Sequence, residues 1–341
     1  MTVDFSAFTQ PVTSAQVKEF KKWARSSGTP GYNTTGMVVG GLVAAFVVFT
    51  VLSFIAGAVL PPADGTIIPS LLLFAVILGM AVLAFLVVLA STRRWESWFR
   101  LSSFAQHNGF LFSPKSDAPY YPGMIFTQGR SREALDHIRA ISGRYFDIGN
   151  FRYIVGSGKN QRTYNWGFLA LKLDRALPHM LLDATSNNSL FGSNLPTLFS
   201  KDQILSLEGD FNKYFTLYCP REYERDALYV FTPDLMALLI DEAAPFDVEI
   251  VDDWMFVYSS KTFSTAAPGN YERMFRVIET VGTKTLSQTD RYSDERVANF
   301  SANVVAPPGR RLRTRVSVFA IIFVVIVVVV QVASFVSDVL H

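Results

Sequence analysis

Several groupings in this 341-residue chain have residue types and spacings that could do chemistry. Gly156-Ser157-Gly158-Lys159 resembles part of a phosphate-binding loop, but that motif needs glycine where Tyr153 stands and Ser or Thr where Asn160 stands. It reads instead as a hairpin turn. His107, His137 and His179 are widely separated and lack the spacing of a helical zinc motif, so each reads as a surface or packed histidine. Asp252-Asp253 offers paired carboxylates, yet adjacent acids between two strand patterns are first a turn. Glu208 with Asp210 has no evident acid–base partner, and Cys219 has no flanking residue that would lower its pKa. No Gly-x-Ser-x-Gly elbow occurs. The sequence therefore predicts no catalytic residue, no cofactor-binding residue and no metal ligand, and the chain is read as a non-enzyme without a cofactor.

The elements that carry these residues divide by composition. Half of the chain is hydrophobic and only 18% is charged, against about 25% in a soluble domain. The deficit lies in three runs free of charged residues and histidine: 36–60, 67–91 and 316–337. A helix rises about 1.5 Å per residue, so each run reaches the roughly 30 Å hydrocarbon core. Three transmembrane helices are expected. Their uniformly apolar character speaks against a transporter, which needs charged or interrupted spans around a site. A lone cysteine excludes a disulfide-stapled fold.

Basic residues mark the ends of the runs. Lys18, Lys21, Lys22 and Arg25 precede the first, Arg93, Arg94 and Arg100 follow the second, and Arg310, Arg311, Arg313 and Arg315 precede the third. The 61–66 turn carries only Asp64, and residues 338–341 have no Lys or Arg. By the positive-inside rule, residues 1–35 and 92–315 are cytoplasmic, and 61–66 and 338–341 lie outside a bacterial inner membrane. Trp23, Trp95 and Trp98 join these basic residues as an expected lipid-interface set. Thr13 and Gln16 form a capping-box pattern ahead of a basic amphipathic helix. That helix either lies on anionic lipid or packs on the cytoplasmic domain. Gly109 is the expected stop of the helix that continues beyond the second run.

Residues 101–309 hold 20 basic and 24 acidic residues, a net charge of −4 that argues against nucleic-acid binding. Residues 151–156 and 167–173 alternate as strands about a polar turn. Residues 215–219 and 226–231 also read as strands, and 248–251 with 254–258 as a hairpin about Asp252-Asp253. Thr232-Pro233-Asp234 opens a helix, and 271–281 is amphipathic. The order predicts an α+β domain with a mainly antiparallel sheet and flanking helices, on a three-helix transmembrane anchor.

Leu207, Glu208, Phe211, Asn212, Phe215, Tyr218, Phe231, Thr232 and Pro233 carry a resemblance. The stretch 207–241 resembles a family of bacterial membrane-anchored proteins whose shared domain has no assigned function. The resemblance implies a membrane-tethered α+β domain and brings no catalytic residues. The valine-rich spans and two-plus-one layout also resemble, more weakly, actinobacterial cell-division and envelope membrane receptors. The expected function is an anchor or receptor whose cytoplasmic domain recruits a soluble protein partner, with membrane lipids as its other contact. The binding surface is unknown, with the 187–196 and 290–308 loops as candidates. The alternative is an accessory or regulatory subunit of a larger membrane complex, oligomerising through Gly36 and Gly40 on the first span. An enzyme with an unrecognised site ranks third.

Overall fold

A computed structural model describes residues 2–29, 31–32, 35–59, 68–117, 119–188, 193–298 and 303–314. The expected third span, 316–337, and Arg315 lie outside the described residues. Two compact units emerge among the described residues: Thr2–Ser116 with Ser264–Pro268, and a body formed by Asp117–Phe263 and the described residues from Gly269 to Thr314.

The first unit contains α1 (Ser6–Thr9), α2 (Ser14–Ser26), α3 (Thr35–Val59), α4 (Ile68–His107) and β1 (Phe110–Asp117). The Thr13 hydroxyl accepts from the Gln16 amide, and the Gln16 side chain accepts from the Thr13 amide, so the predicted capping box starts α2. Its apolar stripe is buried through Phe20 and Ala24. Phe20 meets Tyr32, Trp95 and Phe99 at ring distances of 5.6, 6.4 and 5.7 Å. Phe8 stacks on Phe104 at 4.6 Å, and Arg100 donates to the carbonyls of Phe8 and Gln10. Asn108 exchanges two hydrogen bonds with the backbone of Asp4. These contacts strap the N-terminal segment to the C-terminal half of α4, which ends before Gly109 at φ +67° as expected.

Both apolar runs described here are helical. Within α4, Ile77–His107 is long and apolar enough to cross a membrane by length and composition, and Val38–Val51 of α3 is a shorter apolar helix. Phe46, Phe54, Phe85 and Val88 are more than half exposed. The close approach of α3 to α4 uses Gly41, which sits against Val87, whereas Gly36 and Gly40 have nothing within 4 Å of where a Cβ would lie.

The body is built on an antiparallel sheet with flanking helices, the expected α+β class. Its strands are β2 (Arg130–Ala140), β3 (Phe146–Val155), β4 (Arg162–Ala184), β5 (Ile204–Leu205), β6 (Phe215–Tyr218) and β7 (Asp247–Ser259). Its α-helices are α5 (Phe211–Tyr214), α6 (Glu224–Val230), α7 (Pro233–Leu238), α8 (Gly269–Val277) and α9 (Thr283–Thr289). The 23-residue β4 is the spine. One edge pairs with β3 and then β6, and the other pairs with β7. The β3–β4 hairpin runs in register from Val155↔Arg162 to Phe146↔Leu171, its turn at Gly156 with φ +80°.

Two sequence readings are corrected. Residues 226–231 belong mostly to α6, whose Ala227 and Val230 face inward while Leu228 and Tyr229 face outward. Glu224 and Asp226 occupy its first turn, where carboxylates favour helix. Asp252-Asp253 is not a turn, because β7 runs through it as one strand. The irregularity is taken up opposite: Lys172 pairs with Trp254 and Leu177 with Asp252, so β4 bulges outward between them. Asp252 adopts φ +52° and pairs bidentately with Arg311, while Asp253 pairs with Lys172.

One sheet face receives the helices, with Phe275 of α8 on Phe146 and Gly282 against Leu171. The opposite face carries an aromatic core of Phe126, Phe151, Phe168, Phe256 and Tyr258, closed by Leu195, Phe199 and Leu312 from connecting segments.

Candidate functional site

Strand alternation places His179, Leu181 and Asp183 of β4 beside Asp247, Glu249 and Val251 of β7 on the aromatic face. Four of these six are polar, and all four are buried. What separates them is how their polar atoms are satisfied.

Glu249 is fully buried and accepts from His179 Nε2 at 2.8 Å, the Met124 amide at 2.8 Å and the Tyr258 hydroxyl at 2.5 Å. His179 Nδ1 accepts from the Leu312 amide, which assigns the ring proton to Nε2. Tyr258 is held well above the usual phenol range by burial and by Glu249. A second network joins His137 to Asp147 at 2.9 Å and Asp147 to Tyr121, whose hydroxyl also meets that of Tyr145. Burial and then Asp147 push the Tyr121 phenol up. Tyr121 also borders an open recess of about 730 Å³ lined by Tyr120, Ser131, Arg130 and Arg132.

Asp294, on the connecting segment after α9, is similarly well served. Its carboxylate accepts from the Tyr223 hydroxyl at 2.7 Å, the Ala306 amide at 2.8 Å, and the amide and guanidinium of Arg296. Burial raises its pKa, but these donors outweigh burial and hold it below the usual carboxylate range. Arg296 lies over the Tyr223 ring at 3.9 Å and bridges to Asp226. Asp294 and Arg296 of the polar 290–308 segment are thus pinned to Tyr223 and to Asp226 of α6.

Asp183 and Asp247 are different. Leu182 pairs with Val248, so the two acids stand opposite each other on neighbouring strands, a like-charge arrangement that is destabilising by itself. Asp247 Oδ1 accepts from the Ala184 amide, but Asp247 Oδ2 and Asp183 Oδ1 are buried without a hydrogen-bond partner. Burial pushes the Asp247 carboxyl up to about 7, with the Asp183 charge adding to the rise and Ala184, Asn187 and Asn194 opposing it. Asp183 is raised by burial, against Ser193 and Asn188. The amide oxygens of Asn187 and Asn194 are buried and unpartnered too. Among the described residues no three His, Cys, Asp or Glu side chains converge as a metal site.

The expected site residues take varied positions. Trp95 and Trp98 are buried at 2% and 3% exposure by Tyr32 and Phe20, with Lys21 and Arg25 over the Trp95 ring and Arg94 over Trp98. Trp23 stays 49% exposed, and Lys18, Lys22, Arg25 and Arg93 are exposed. In the body, Arg310, Arg311 and Arg313 are exposed. Arg310 donates to the Val305 carbonyl, Arg311 pairs with Asp252, and Arg313 lies 3.7 Å from Asp202. Glu208 and Asp210 are exposed, with Asp210 paired to Lys213. The Cys219 thiol is buried and pushed up to about 12 by burial and then by Glu224 and Asp226. The buried carboxylates were absent from the sequence reading. Their signal was acid at a core position: Asp183 after Met180-Leu181-Leu182, and Asp247 and Glu249 two apart in an apolar strand.

The chain matches no protein-family model and no curated protein. Among solved structures, the crystal structure of the mycobacterial trehalose monomycolate transport factor A is similar at a TM-score of 0.37 and 12% identity. The match covers 54% of this chain and 91% of that one. A likeness at that level carries no argument about this chain.

Proposed function

We propose that this protein is a bilayer-anchored receptor whose α+β body recruits a soluble protein partner to the inner membrane face. The supporting observation is the change of surroundings along α4. Ile77, Phe85 and Val88 project from it more than half exposed, while Trp95, Trp98 and Phe104 on the same helix are buried by protein. Large apolar side chains left uncovered along one segment mark a surface made for lipid or another protein. The cover begins where Arg93 and Arg94 enter, as at a membrane boundary. The resemblance to envelope and division receptors sets the cellular context of the proposal, with two spans before the body and 316–337 as the third.

Topology is testable because the buried, high-pKa Cys219 leaves a quiet background. A cysteine introduced as Ser287→Cys on the exposed surface should react with a membrane-impermeant maleimide only after cells are permeabilised, and labelling of intact cells would overturn the orientation. Purification of the full chain in mild detergent should bring a stoichiometric soluble protein. The open surfaces at Gly36 and Gly40 favour the alternative, an accessory subunit held by helix contacts. That reading predicts integral membrane proteins as the co-purifying species, lost on Gly40→Leu.

A further inference from the structure

We propose that Asp183, Asp247 and the side-chain amide oxygens of Asn187 and Asn194 form a binding site for a hard divalent cation of calcium's size. The site stands where β4 ends and β7 begins. Four oxygens of these residues make no hydrogen bond: Asp183 Oδ1, Asp247 Oδ2, Asn187 Oδ1 and Asn194 Oδ1; the Asn194 amide nitrogen is unpartnered as well, so that amide can turn either end toward the acids. Asp183 is 4% exposed and Asp247 fully buried. Native interiors rarely leave one carboxylate oxygen unpaired, because the desolvation cost is not returned. Here two stand face to face across a strand pair; besides burial, Asp247 is acted on by the Ala184 amide, Asn187, Asp183 and Asn194, and Asp183 by Ser193 and Asn188, with no cationic side chain among them.

The donor set selects the ligand class. The carboxylates and amide carbonyls offer oxygen ligands, with no sulfur or imidazole among them, which disfavours zinc and other softer metals. Two carboxylates balance a 2+ charge. Amide carbonyls in a connecting segment suit the six to eight flexible oxygen ligands of calcium better than the rigid octahedron of magnesium, with water completing the shell. Asp247 Oδ1 stays on the Ala184 amide, which fixes the carboxylate and leaves Oδ2 for a ligand. Binding would tie Asn187 and Asn194 to the strand ends. Those residues belong to one of the two loops expected to meet a partner, but the site does not depend on the receptor reading.

The test uses the full chain in detergent, stripped with chelator at pH 8 and titrated calorimetrically with calcium and separately with magnesium. Calcium should bind with one-to-one stoichiometry and raise the melting temperature, with magnesium at least tenfold weaker. Asp247→Asn keeps an oxygen for the Ala184 amide, and it should weaken calcium by roughly a hundredfold or more because ligand charge sets affinity. Asp183→Asn and Asn194→Ala provide independent variants should one fail to fold. No calcium response in the wild type, an equal response to magnesium, or an undiminished response in folded Asp247→Asn would each overturn the assignment.

Discussion

Asp294 and Asp247 are both buried carboxylates in the same body, and they have opposite characters. Asp294 accepts from a phenol, two backbone amides and a guanidinium, and its pKa is lowered. Asp247 accepts from one backbone amide, faces another acid, and is raised to about 7. Burial acts on both in the same direction, so the difference comes from the donors around Asp294 and from the acid facing Asp247. A carboxylate surrounded by donors holds structure together, as Asp294 does by joining Tyr223 and Ala306. A carboxylate short of donors is a cost to the fold unless something else occupies the gap.

The sharpest way to break this comparison is to remove the satisfied acid. Asp294→Ala strands the Tyr223 hydroxyl and the Ala306 amide and should destabilise the body by about 3–5 kcal/mol in chemical denaturation. Tyr223→Phe keeps the ring beneath Arg296 but loses one bond to a charged acceptor, for a loss of about 1.5–3 kcal/mol. Because the folded pKa of Asp294 is lowered, its contribution is fully present above pH 3.8 and is lost as pH falls through the lower folded value. The Asp294→Ala deficit should therefore shrink in acid.

Asp247 should behave in reverse. Its folded pKa lies above 3.8, so the unfolded chain ionises first and stability falls as pH rises from about 4 to about 7. The penalty above pH 7 is on the order of 4 kcal/mol for the metal-free protein. Asp247→Asn removes it but leaves an amide N–H without a partner, which returns about 1–3 kcal/mol. In chelator at pH 8 the variant should gain about 1–3 kcal/mol, and at pH 4 the gain should vanish. A gain that persists at pH 4 would show that charge is not what makes this site costly.

Much of the scaffold was legible because its signals are local. Thr13 with Gln16, the turn at 156–159 and Thr232-Pro233 each declare an element within four residues, and each element is present. Residues 226–231 misled because Tyr229, Val230 and Phe231 favour strand locally, and the helix is decided by burial of Ala227 and Val230. Asp252-Asp253 misled because the compensating bulge lies on another strand, some eighty positions away in sequence. The buried acids share that remoteness. Asp183 and Asp247 become a pair only through strand registry, and Asp294 finds Tyr223 across the gap from α6.

The smallest effects extend the comparison from charged to neutral groups. Thr13 and Thr232 both precede helices, but only Thr13 uses its hydroxyl, accepting from Gln16, while the Thr232 hydroxyl is buried without a partner. Thr13→Ala should cost about 0.5–2 kcal/mol through loss of the cap. Thr232→Val preserves the shape and removes an unsatisfied oxygen, so it should be neutral or stabilising by up to about 1 kcal/mol. If Thr232→Val instead costs as much as Thr13→Ala, that hydroxyl has a partner in solution. The rule that unpartnered buried oxygens weaken this body would then fail at a neutral site, and the cost at Asp183 and Asp247 would be that of burying charge, with the Asp183 charge adding to it at Asp247.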